Sequence, residues 1–546
     1  MDFIGSRKSE ATLMTAEGGQ AATSGDAAVV WPASAGADPR REPALFRSAL
    51  RSSLYVSLVV GIGYLVSFIS QFVIARSFGA STELDAYLTG YAIPGSAVGF
   101  MANCVGYVGL PMLARHGPEE GPDNVMGRLF LVTGFLALAV MVVGGGMAHV
   151  LVRVGAPKLS PEKLALAIRI QRLFWVVAGL QVISACLTAF HHFTRSFLLP
   201  SISVLVLPAG VIIGCLTLAS RIGVMGLAWG FLGGAALQVV LLLPIASALK
   251  FSLKGVASTG VVFLSAAIPN ALSLLPFGFL PVIDAFWASG LTDGALSYLG
   301  YASRIVIAIS AICAQGICVV LFPSLVEHAA GGNLDSLRTR LQTALKIVIG
   351  LTIPLACLVA VLRVPLVALA LQRGRFDEQA TKAVAAVLPW YLVGMIALSC
   401  MFILSRGLYS VSKFLGPGLI AVGSLTIYAA ASGVLSFKFG YWGIGAAYAV
   451  EWWLLVWASS LLMSRRVGPL WAKEQVTFVL KLLVVSLGIA LLVREFYFHI
   501  LSALPAVPRL ALVGTAGTFL SLFLAFLLFN AAEKQRLLNL IHREGQ

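Results

Sequence analysis

Apolar runs of membrane-spanning length recur along the chain from residue 53 onward, and short polar connections separate them. A helix rises about 1.5 Å per residue, so about 20 apolar residues cross the roughly 30 Å of bilayer hydrocarbon. The number of such runs is even, which predicts both chain ends on one side of the membrane. The fourteen predicted spans are 53–75, 86–113, 129–152, 171–190, 197–219, 224–248, 260–283, 296–322, 343–362, 385–409, 416–436, 442–463, 475–493 and 507–531.

The chain before the first span has a different character. Residues 1–44 are rich in Ala, Gly, Ser and Thr and contain no apolar run long enough for a signal peptide, which predicts a disordered tail.

The rest of the chain divides into an N-terminal lobe (45–254, helices one to six) and a C-terminal lobe (255–466, helices seven to twelve). The segment 467–546 holds the last two helices and a short tail.

Composition excludes a water-soluble protein. Of 546 residues, 59% are hydrophobic and 11% are charged, and the mean hydropathy is +0.93, whereas soluble domains carry about 25% charged residues. The net charge of +15 therefore indicates loops that face anionic lipid rather than nucleic-acid binding.

The distribution of Lys and Arg predicts the orientation. These residues are more frequent in the connections on the side of the N-terminus, which places both termini in the cytoplasm. Two connections on the opposite side, 153–170 and 363–384, are also basic. Each is long enough for a short helix at the membrane interface.

Similar words recur at a fixed distance in the two halves. Ala86-Tyr87-Leu88, followed by Gly90-Tyr91, is echoed by Ser297-Tyr298-Leu299, followed by Gly300-Tyr301. Leu-Pro-Met-Leu at 110–113 is likewise echoed by Phe-Pro-Ser-Leu at 322–325. Tyr87 and Tyr298 are 211 residues apart. This offset makes helices one to six correspond to helices seven to twelve. An even number of helices per repeat predicts parallel lobes related by an axis along the membrane normal, around a central cavity.

The sequence contains no motif of a soluble enzyme, since Walker-type Gly-Lys-Ser/Thr, HExxH and Asp-x-Asp patterns are all missing. The seven cysteines lie in or beside apolar stretches and are interpreted as packing residues, so no metal site or cofactor is predicted. Energy would come from the membrane potential, from an H⁺ or Na⁺ gradient, or from the substrate gradient. His191 and His192, at the end of a span, are interpreted as solvated interfacial residues.

Arg304 is the principal candidate for substrate binding, because ionisable groups inside hydrocarbon are costly and tend to be functional. It lies within the eighth span among Ser297, Tyr298, Tyr301 and Ser303. Its planar guanidinium suits phosphate oxygens. The functional interpretation is a phosphate or diphosphate contact, and the alternative is a structural ion pair or a carbonyl cap.

Three further ionisable residues fall within or beside spans. Glu451, in the twelfth span, is interpreted either as a proton or cation coupling site or as an interhelical hydrogen bond, and it is expected to be protonated unless paired. Asp284 is interpreted as a partner of Arg304, a cation ligand or a solvated residue. Lys481 is expected to extend its stem to the membrane surface.

Glycines predict where helices approach each other closely. Gly226, Gly230, Gly233 and Gly234 fall in the sixth span, and small residues of this kind let membrane helices pack backbone to backbone.

Residues 75–94, which begin Ala75-Arg76-Ser77-Phe78-Gly79, resemble the signature of the MurJ/MviN lipid II flippase family, within the superfamily of multidrug and oligosaccharidyl-lipid exporters. Further similar words follow in family order at 284–289, 301–304, 320–325, 371–376, 405–409 and 443–449. The resemblance implies two six-helix lobes, two C-terminal helices that form a groove for a polyprenyl tail, and alternating access in the bacterial cytoplasmic membrane.

The resemblance also implies roles for particular residues. Arg304 matches a cavity arginine that contacts the diphosphate, Asp85 a family aspartate at the start of helix two, and Arg76 the arginine of the signature. Family members usually carry further arginines on helices one and two, where this chain has Tyr64, Ser70, Val98 and Gly99. The eleventh span has no acidic residue, so a sodium site built partly there does not carry over.

These observations predict a flippase for a polyprenyl-diphosphate-linked saccharide, with an envelope glycan or exopolysaccharide unit as the substrate. Arg304 would hold the diphosphate, and Tyr64, Tyr91 and Tyr301 would stack on sugars. The predicted partners are this substrate, membrane lipids and enzymes of envelope-glycan synthesis. The alternatives are lipid II as the substrate, a membrane glycan polymerase or ligase, and a scaffold that transports nothing.

Overall fold

The structure, a computed structural model, describes residues 65–109, 121–194, 196–273, 275–315, 333–411 and 415–529, together with a few isolated positions. In these ranges the chain forms helices and short connections, without a β-strand. The predicted tail at 1–44 lies outside them.

The N-terminal lobe begins with α1 (Leu65–Phe78). α2 (Thr82–Cys104) continues into a π-helical turn at Val105–Gly109. α3 (Pro122–Ala139) and α4 (Gly145–Gly155) are joined by a second π-helical turn at Val140–Gly144. The lobe is completed by α5 (Pro161–Phe193), α6 (Leu198–Thr217), the short α7 (Ala219–Ile222) and α8 (Met225–Leu242), which ends in a 3-10 turn at Leu243–Ala248.

The C-terminal lobe follows the same plan. It contains α9 (Val256–Ser273), α10 (Leu275–Ala288), α11 (Ala295–Ser310) with a π-helical turn at Ala311–Gln315, α12 (Leu334–Val361), the short α13 (Arg363–Leu371), α14 (Glu378–Val411), α15 (Leu415–Phe439) and α16 (Tyr441–Val467). Two more helices, α17 (Lys473–Glu495, ending in a π-helical turn at Phe496–Ile500) and α18 (Ala506–Leu527), pack against each other and against α12.

Helix lengths fit a membrane protein. In the described ranges, 11 helices are long and apolar enough to cross a bilayer, and three shorter apolar helices accompany them. The described part of each predicted span is almost entirely helical. Large apolar side chains point outward, such as Val484 (71% exposed) and Phe519 (76% exposed), as expected where lipid rather than water surrounds the bundle. The prediction of a multi-pass all-α membrane protein is confirmed.

The two basic connections, each long enough for a short helix, differ in structure. Arg363–Leu371 forms α13, within the segment 363–384. The segment 153–170 holds no separate short helix, because α4 ends at Gly155 and α5 begins at Pro161. Proline is favoured at a first helical position, so α5 begins there, and its first turns include Lys163 and Arg169.

Helix packing repeats between the lobes. In the N-terminal lobe, α5 packs against α2, α3 and α8, and α6 packs against α8. In the C-terminal lobe, α14 packs against α11, α12 and α16, and α15 packs against α16. α2 begins at Thr82 and α11 at Ala295, close to the predicted offset. Two pseudo-repeated lobes, each with one central helix, are therefore present.

α2 joins the two lobes, since it packs against α9, α10 and α11. The Ser96 hydroxyl donates a hydrogen bond to the Gly278 carbonyl of α10 at 2.5 Å. Farther along α2, Cys104 Sγ lies 3.5 Å from the Ala267 carbonyl oxygen of α9. The interface between the lobes is thus built largely on one helix.

The prediction that both adjacent histidines are solvated is wrong for His191. Its side chain is 5% exposed, and Nε2 lies 3.2 Å from the Leu242 carbonyl oxygen at the end of α8. His192 is exposed. Successive helical residues point about 100° apart, so one histidine faces the core and the other the surface.

Candidate functional site

Asp85 lies at the start of α2 and caps the beginning of α11. Its side chain is 7% exposed, and its carboxylate accepts hydrogen bonds from the Gly294 amide (2.7 Å), the Ser297 amide (2.9 Å) and the Ser297 hydroxyl (2.6 Å). The first amides of a helix have no partner within the helix and carry partial positive charge. Asp85 therefore caps, across the lobe interface, a helix of the other lobe.

Backbone contacts extend this cap along the same end of the bundle. The Tyr301 hydroxyl donates to the Gly79 carbonyl at 2.9 Å, and the Arg375 amide donates to the Arg76 carbonyl at 3.0 Å. Gly79 has φ +59°, and a side chain there would meet the Arg375 carbonyl oxygen at 2.2 Å. We call the contacts of Asp85, Tyr301 and Arg375 the interlobe clasp.

An exposed ion pair lies beside the clasp. Lys163 Nζ of α5 lies 2.6 Å from Asp293 Oδ1, and the Thr82 hydroxyl donates to Asp293 Oδ2 at 3.2 Å. The hydrogen bond from Lys163 holds the pKa of Asp293 below its ordinary value. The two lobes are thus also tied through the loop that precedes α11.

Arg304 lies on α11 about 14 Å along the helix axis from Ala295, by helical rise. Its guanidinium is half-buried and donates to the side-chain carbonyl of Gln71 on α1. In the described ranges, no carboxylate lies within ion-pair distance of Arg304. The neutral Gln71 amide accepts from one of the five N–H donors of the guanidinium and does not neutralise its charge. The positive charge of Arg304 therefore remains available to an anion.

Two of the predicted tyrosines lie on the same helices as the site, since Tyr301 is one turn before Arg304 on α11 and Tyr91 is on α2, which packs against α11. Tyr91 packs edge-on against Phe174 at 5.0 Å between ring centroids. Tyr301 packs edge-on against Phe376 at 5.2 Å, and its hydroxyl belongs to the clasp. Tyr64 lies outside the described residues.

Arg76 has an exposed side chain at the end of α1, and its carbonyl belongs to the clasp. Gly374, with φ +62°, lets the chain at 373–376 approach closely, since a side chain there would meet the Arg76 carbonyl oxygen at 2.3 Å. The structure therefore joins Arg76, Asp85 and Tyr301 at one end and places Arg304 deeper.

Asp284 does not pair with Arg304, and the prediction of simple solvation is also wrong. Its carboxylate accepts a hydrogen bond from the Tyr428 hydroxyl of α15. Glu451, on α16, is fully buried, and its Oε1 accepts from the Ser424 hydroxyl of α15 at 3.0 Å. The interhelical hydrogen bond predicted as one alternative for Glu451 is therefore present.

Ser424 and Tyr428 are four residues apart and so share one face of α15. Together with Asp284 and Glu451 they form the acid cluster of the C-terminal lobe. In this cluster, Glu451 Oε2 is buried without a hydrogen-bond partner in the described ranges.

The neutral replacements on the first helices differ in burial, since Ser70 is buried, Val98 is half-buried and Gly99 is exposed. Ser70 is 3% exposed and donates to the Ser67 carbonyl of its own helix at 2.7 Å. Val98 packs beside the cluster of Ala148, Trp175 and Ala178.

Sequence reasoning missed Gln71, Ser424 and Tyr428. The only feature that could have indicated them is that they are uncharged polar residues within predicted spans. Many residues of this kind form hydrogen bonds within their own helix, so this feature alone does not identify a site.

The chain is similar to known membrane proteins over most of its length. A family model described as "Lipid II flippase MurJ" matches residues 74–509. A probable lipid II flippase MurJ of Buchnera aphidicola (subsp. Acyrthosiphon pisum) is 23% identical over 437 residues, which cover 76% of this chain and 83% of that protein. The lipid II flippase MurJ of Burkholderia cenocepacia is 25% identical over 405 residues, with coverage of 70% and 77%.

Solved structures share the fold. A lipid II flippase MurJ in an inward closed conformation matches with a TM-score of 0.70 at 18% identity, covering 86% of this chain and 98% of the other. An inward-facing multidrug transporter of the MATE family and MOP superfamily matches with a TM-score of 0.64 at 13% identity, covering 75% and 94%.

Proposed function

Because the chain belongs to the lipid II flippase MurJ family, we propose that it carries lipid II across the bacterial cytoplasmic membrane. The family consists of transporters, so a polymerase or ligase is not proposed. Family membership supports lipid II, which was the alternative, better than the broader prediction of an unspecified envelope glycan. A lipid-linked precursor and membrane lipids are the expected partners.

The observation that carries the proposal is the charge of Arg304. A guanidinium within a membrane protein is costly unless it is paired, and this one is held by the neutral side chain of Gln71. Its free donors suit two oxygens of a diphosphate. We propose that Arg304 binds the diphosphate and that Tyr91 lies near the attached sugars.

Alternating access gives the interlobe clasp a role. With the predicted orientation, α2 and α11 begin at the outer membrane surface, so the clasp closes the outer end. A substrate would enter from the cytoplasmic end, bind Arg304 and leave after the clasp opens. In this proposal Arg76, Asp85 and Tyr301 act on the substrate's exit.

We further propose that the acid cluster couples transport to a cation gradient. Asp284 and Glu451 each accept one hydroxyl from α15, so a change in charge at either carboxyl would alter the packing of that helix. H⁺ is the simpler ion, because a buried carboxyl takes it up without further ligands.

A second substrate remains a candidate on one observation. Ser70 and Val98 stand where family members usually carry arginines, and Ser70 is buried whereas Val98 is half-buried. A lower positive charge at these positions favours a polyprenyl-diphosphate-linked saccharide other than lipid II as the substrate.

The test is rescue of bacteria depleted of their own lipid II flippase, with membrane levels checked by immunoblot. Wild type is expected to restore growth, and Arg304→Ala is expected to reduce flipping about tenfold or more, since hydrogen bonds to charged groups contribute about 1.5–3 kcal/mol. Arg221→Ala is the matched control, because Arg221 is exposed on α7. Normal flipping by Arg304→Ala would contradict its role. A well-expressed wild type that fails to rescue would favour the other saccharide.

A further inference from the structure

Three exposed arginines lie together beside the interlobe clasp. Arg76 is in the last turn of α1, in the N-terminal lobe, whereas Arg373 and Arg375 lie in the turn between α13 and α14 of the C-terminal lobe. The Arg375 amide donates to the Arg76 carbonyl at 3.0 Å. A Cβ added to Gly374 would lie 2.9 Å from Cγ of Arg76. The Arg76 side chain therefore lies against the turn that carries the other two arginines.

The guanidinium of Arg373 reaches across the lobe interface to α1. Its central carbon lies 5.5 Å from the centre of the Phe72 ring, within the range of a cation–π contact. Phe72 and Arg76 are four residues apart, so they share one face of α1 and are separated by about 6 Å along its axis. The contact with the ring leaves the charge of Arg373 in place. Two positive charges, one from each lobe, thus lie over the same face of α1.

These charges have no acidic partner in the ranges that the structure describes, since no carboxylate there lies within ion-pair distance of the three arginines. The acids that follow in the chain are engaged at the start of α14. Asp377 accepts a hydrogen bond from the Ala380 amide at 2.8 Å. Glu378 Oε1 lies 2.7 Å from Lys382 Nζ. Closure of the clasp therefore brings like charges of the two lobes together, and their repulsion opposes closure.

Toward the middle of the membrane, the exposed surface of α1 is apolar. Leu65, Phe68 and Ile69 are 58%, 50% and 43% exposed, as expected for contact with acyl chains. Phe68 shares the face of Phe72 and Arg76 and lies about 12 Å from Arg76 along the axis. Basic side chains at the end of an apolar helix surface suit a lipid that carries a phosphate above its acyl chains.

We propose that Arg76 and Arg373 bind the phosphate of an anionic phospholipid, with an acyl chain along α1. With the predicted orientation, this end of α1 lies at the outer membrane surface, so the lipid belongs to the outer leaflet. One phosphate bridges the two lobes and offsets the repulsion between them. Because this bridge exists only while the arginines are close together, the lipid stabilises the closed form of the outer end.

The lipid site is distinct from the proposed substrate site. Gln71, which binds Arg304, directly precedes Phe72 and points about 100° away from it around α1. The proposal therefore holds whichever saccharide is carried. An inorganic phosphate has the same charged oxygens as the headgroup but gains nothing from the apolar surface of α1.

The first test measures lipid binding. Purified full-length protein is placed in nanodiscs of phosphatidylcholine with or without phosphatidylglycerol, and bound phosphatidylglycerol is counted by native mass spectrometry. Arg76→Gln and Arg373→Gln are each expected to lower the bound fraction about fivefold, which corresponds to the roughly 1 kcal/mol that a basic residue near the membrane surface contributes. Both side chains are exposed, and the clasp uses only the backbone of Arg76, so both variants should fold.

Arg494→Gln is the matched control for lipid binding. Arg494 is exposed at the end of α17, which is the outer end in the predicted orientation, and α17 packs against α12 and α18. This variant is expected to bind phosphatidylglycerol as wild type does, because its arginine lies away from α1 and the clasp.

The second test measures closure of the clasp. Thr82→Cys and Asp293→Cys are introduced together, since the native side chains lie 3.2 Å apart across the interface, and the rate of joining by a short bifunctional thiol reagent is followed. Phosphatidylglycerol is expected to raise this rate. Arg76→Gln in the same background is expected to abolish the increase, whereas Arg494→Gln is expected to retain it.

Equal phosphatidylglycerol binding by wild type and either clasp variant would overturn the proposal. Binding that leaves the crosslinking rate unchanged would also overturn it, because the lipid would then not stabilise closure. Displacement of the lipid by inorganic phosphate at a comparable concentration would contradict it and assign the arginines to free anions. Loss of binding in both variants, resistance to inorganic phosphate and faster crosslinking with the lipid would support it.

Discussion

Two charged side chains at the lobe interface differ in how many hydrogen-bond partners they have, and this difference indicates different roles. Asp85 is buried and accepts three hydrogen bonds from the start of α11, so little of its carboxylate remains for a ligand. Arg304 is half-buried, with one neutral partner. The carboxylate is suited to hold the lobes together, whereas the guanidinium is suited to bind an anion.

At the residue scale, Asp85 and Ser297 are expected to act as one unit. Asp85→Asn, Ser297→Ala and the double variant are compared by thermal unfolding in detergent. Both changes affect the hydrogen bond from the Ser297 hydroxyl to the Asp85 carboxylate, so their effects should fall short of additivity by about 0.5–3 kcal/mol. Thr89→Ala is the control, because that hydroxyl bonds within α2 at 2.8 Å. Additive effects would show that the Asp85 carboxylate and the Ser297 hydroxyl do not stabilise the protein as a pair.

Glu451 gives a second prediction at this scale. Glu451→Gln keeps an oxygen for the Ser424 hydroxyl, so unfolding free energy should change by less than about 1 kcal/mol. The variant has no group to protonate, so flipping in proteoliposomes should lose its dependence on a pH gradient. Ser424→Ala should show the reverse, with lower stability and retained dependence. An unchanged gradient response in Glu451→Gln would exclude Glu451 from coupling.

At the scale of elements, α6 and α8 cross backbone to backbone. A side chain at Gly230 would meet the Gly210 carbonyl oxygen at 2.4 Å, and one at Gly214 would meet the Gly226 carbonyl oxygen at 2.5 Å. Gly233 has no neighbour within 4 Å of an added Cβ. The glycines of the sixth span thus serve close packing on one face of α8 only.

This difference gives a matched pair of variants. Gly230→Ala should destabilise the protein by about 1–3 kcal/mol, because α6 must move away from α8. Gly233→Ala should be neutral or slightly stabilising, since alanine favours the helix. Melting temperatures in one detergent are the measurement. Equal shifts for the two variants would contradict the close crossing.

At the scale of the whole molecule, the clasp fixes one end of the lobe interface. Beside it, Lys163 keeps the pKa of Asp293 lowered. The stabilisation from this pair is therefore fully present above the ordinary aspartate pKa and is lost as the pH falls through the lower folded value. At neutral pH the pair persists, so a change of pH near neutrality does not break it.

A crosslink tests whether this end must open. Thr82→Cys with Asp293→Cys, joined by a short bifunctional thiol reagent, should block flipping, and reduction should restore it, because the two side chains belong to different lobes and lie 3.2 Å apart. Gln181→Cys with Gln238→Cys is the control, since this pair lies within one lobe at 2.9 Å. Undiminished flipping by the crosslinked first pair would contradict alternating access at this end.

The sequence by itself determined the spans and the two-lobed repeat, and it selected Arg304 as a candidate for substrate binding. These follow from hydrophobic length, from repeated words and from the cost of charge in lipid, all of which are local properties of the chain. It also indicated the close-packing glycines of the sixth span.

Only the tertiary structure decided the partners. Asp85 lies 209 residues from Gly294, and Gln71 lies 233 residues from Arg304, so no local pattern joins them. His191 looks like an interfacial residue by position, and its burial depends on the helices that pack over it. Hydrophobicity selects which segments enter the membrane, whereas side-chain pairing depends on the rotation and depth of each helix, which are set by packing between helices distant in sequence.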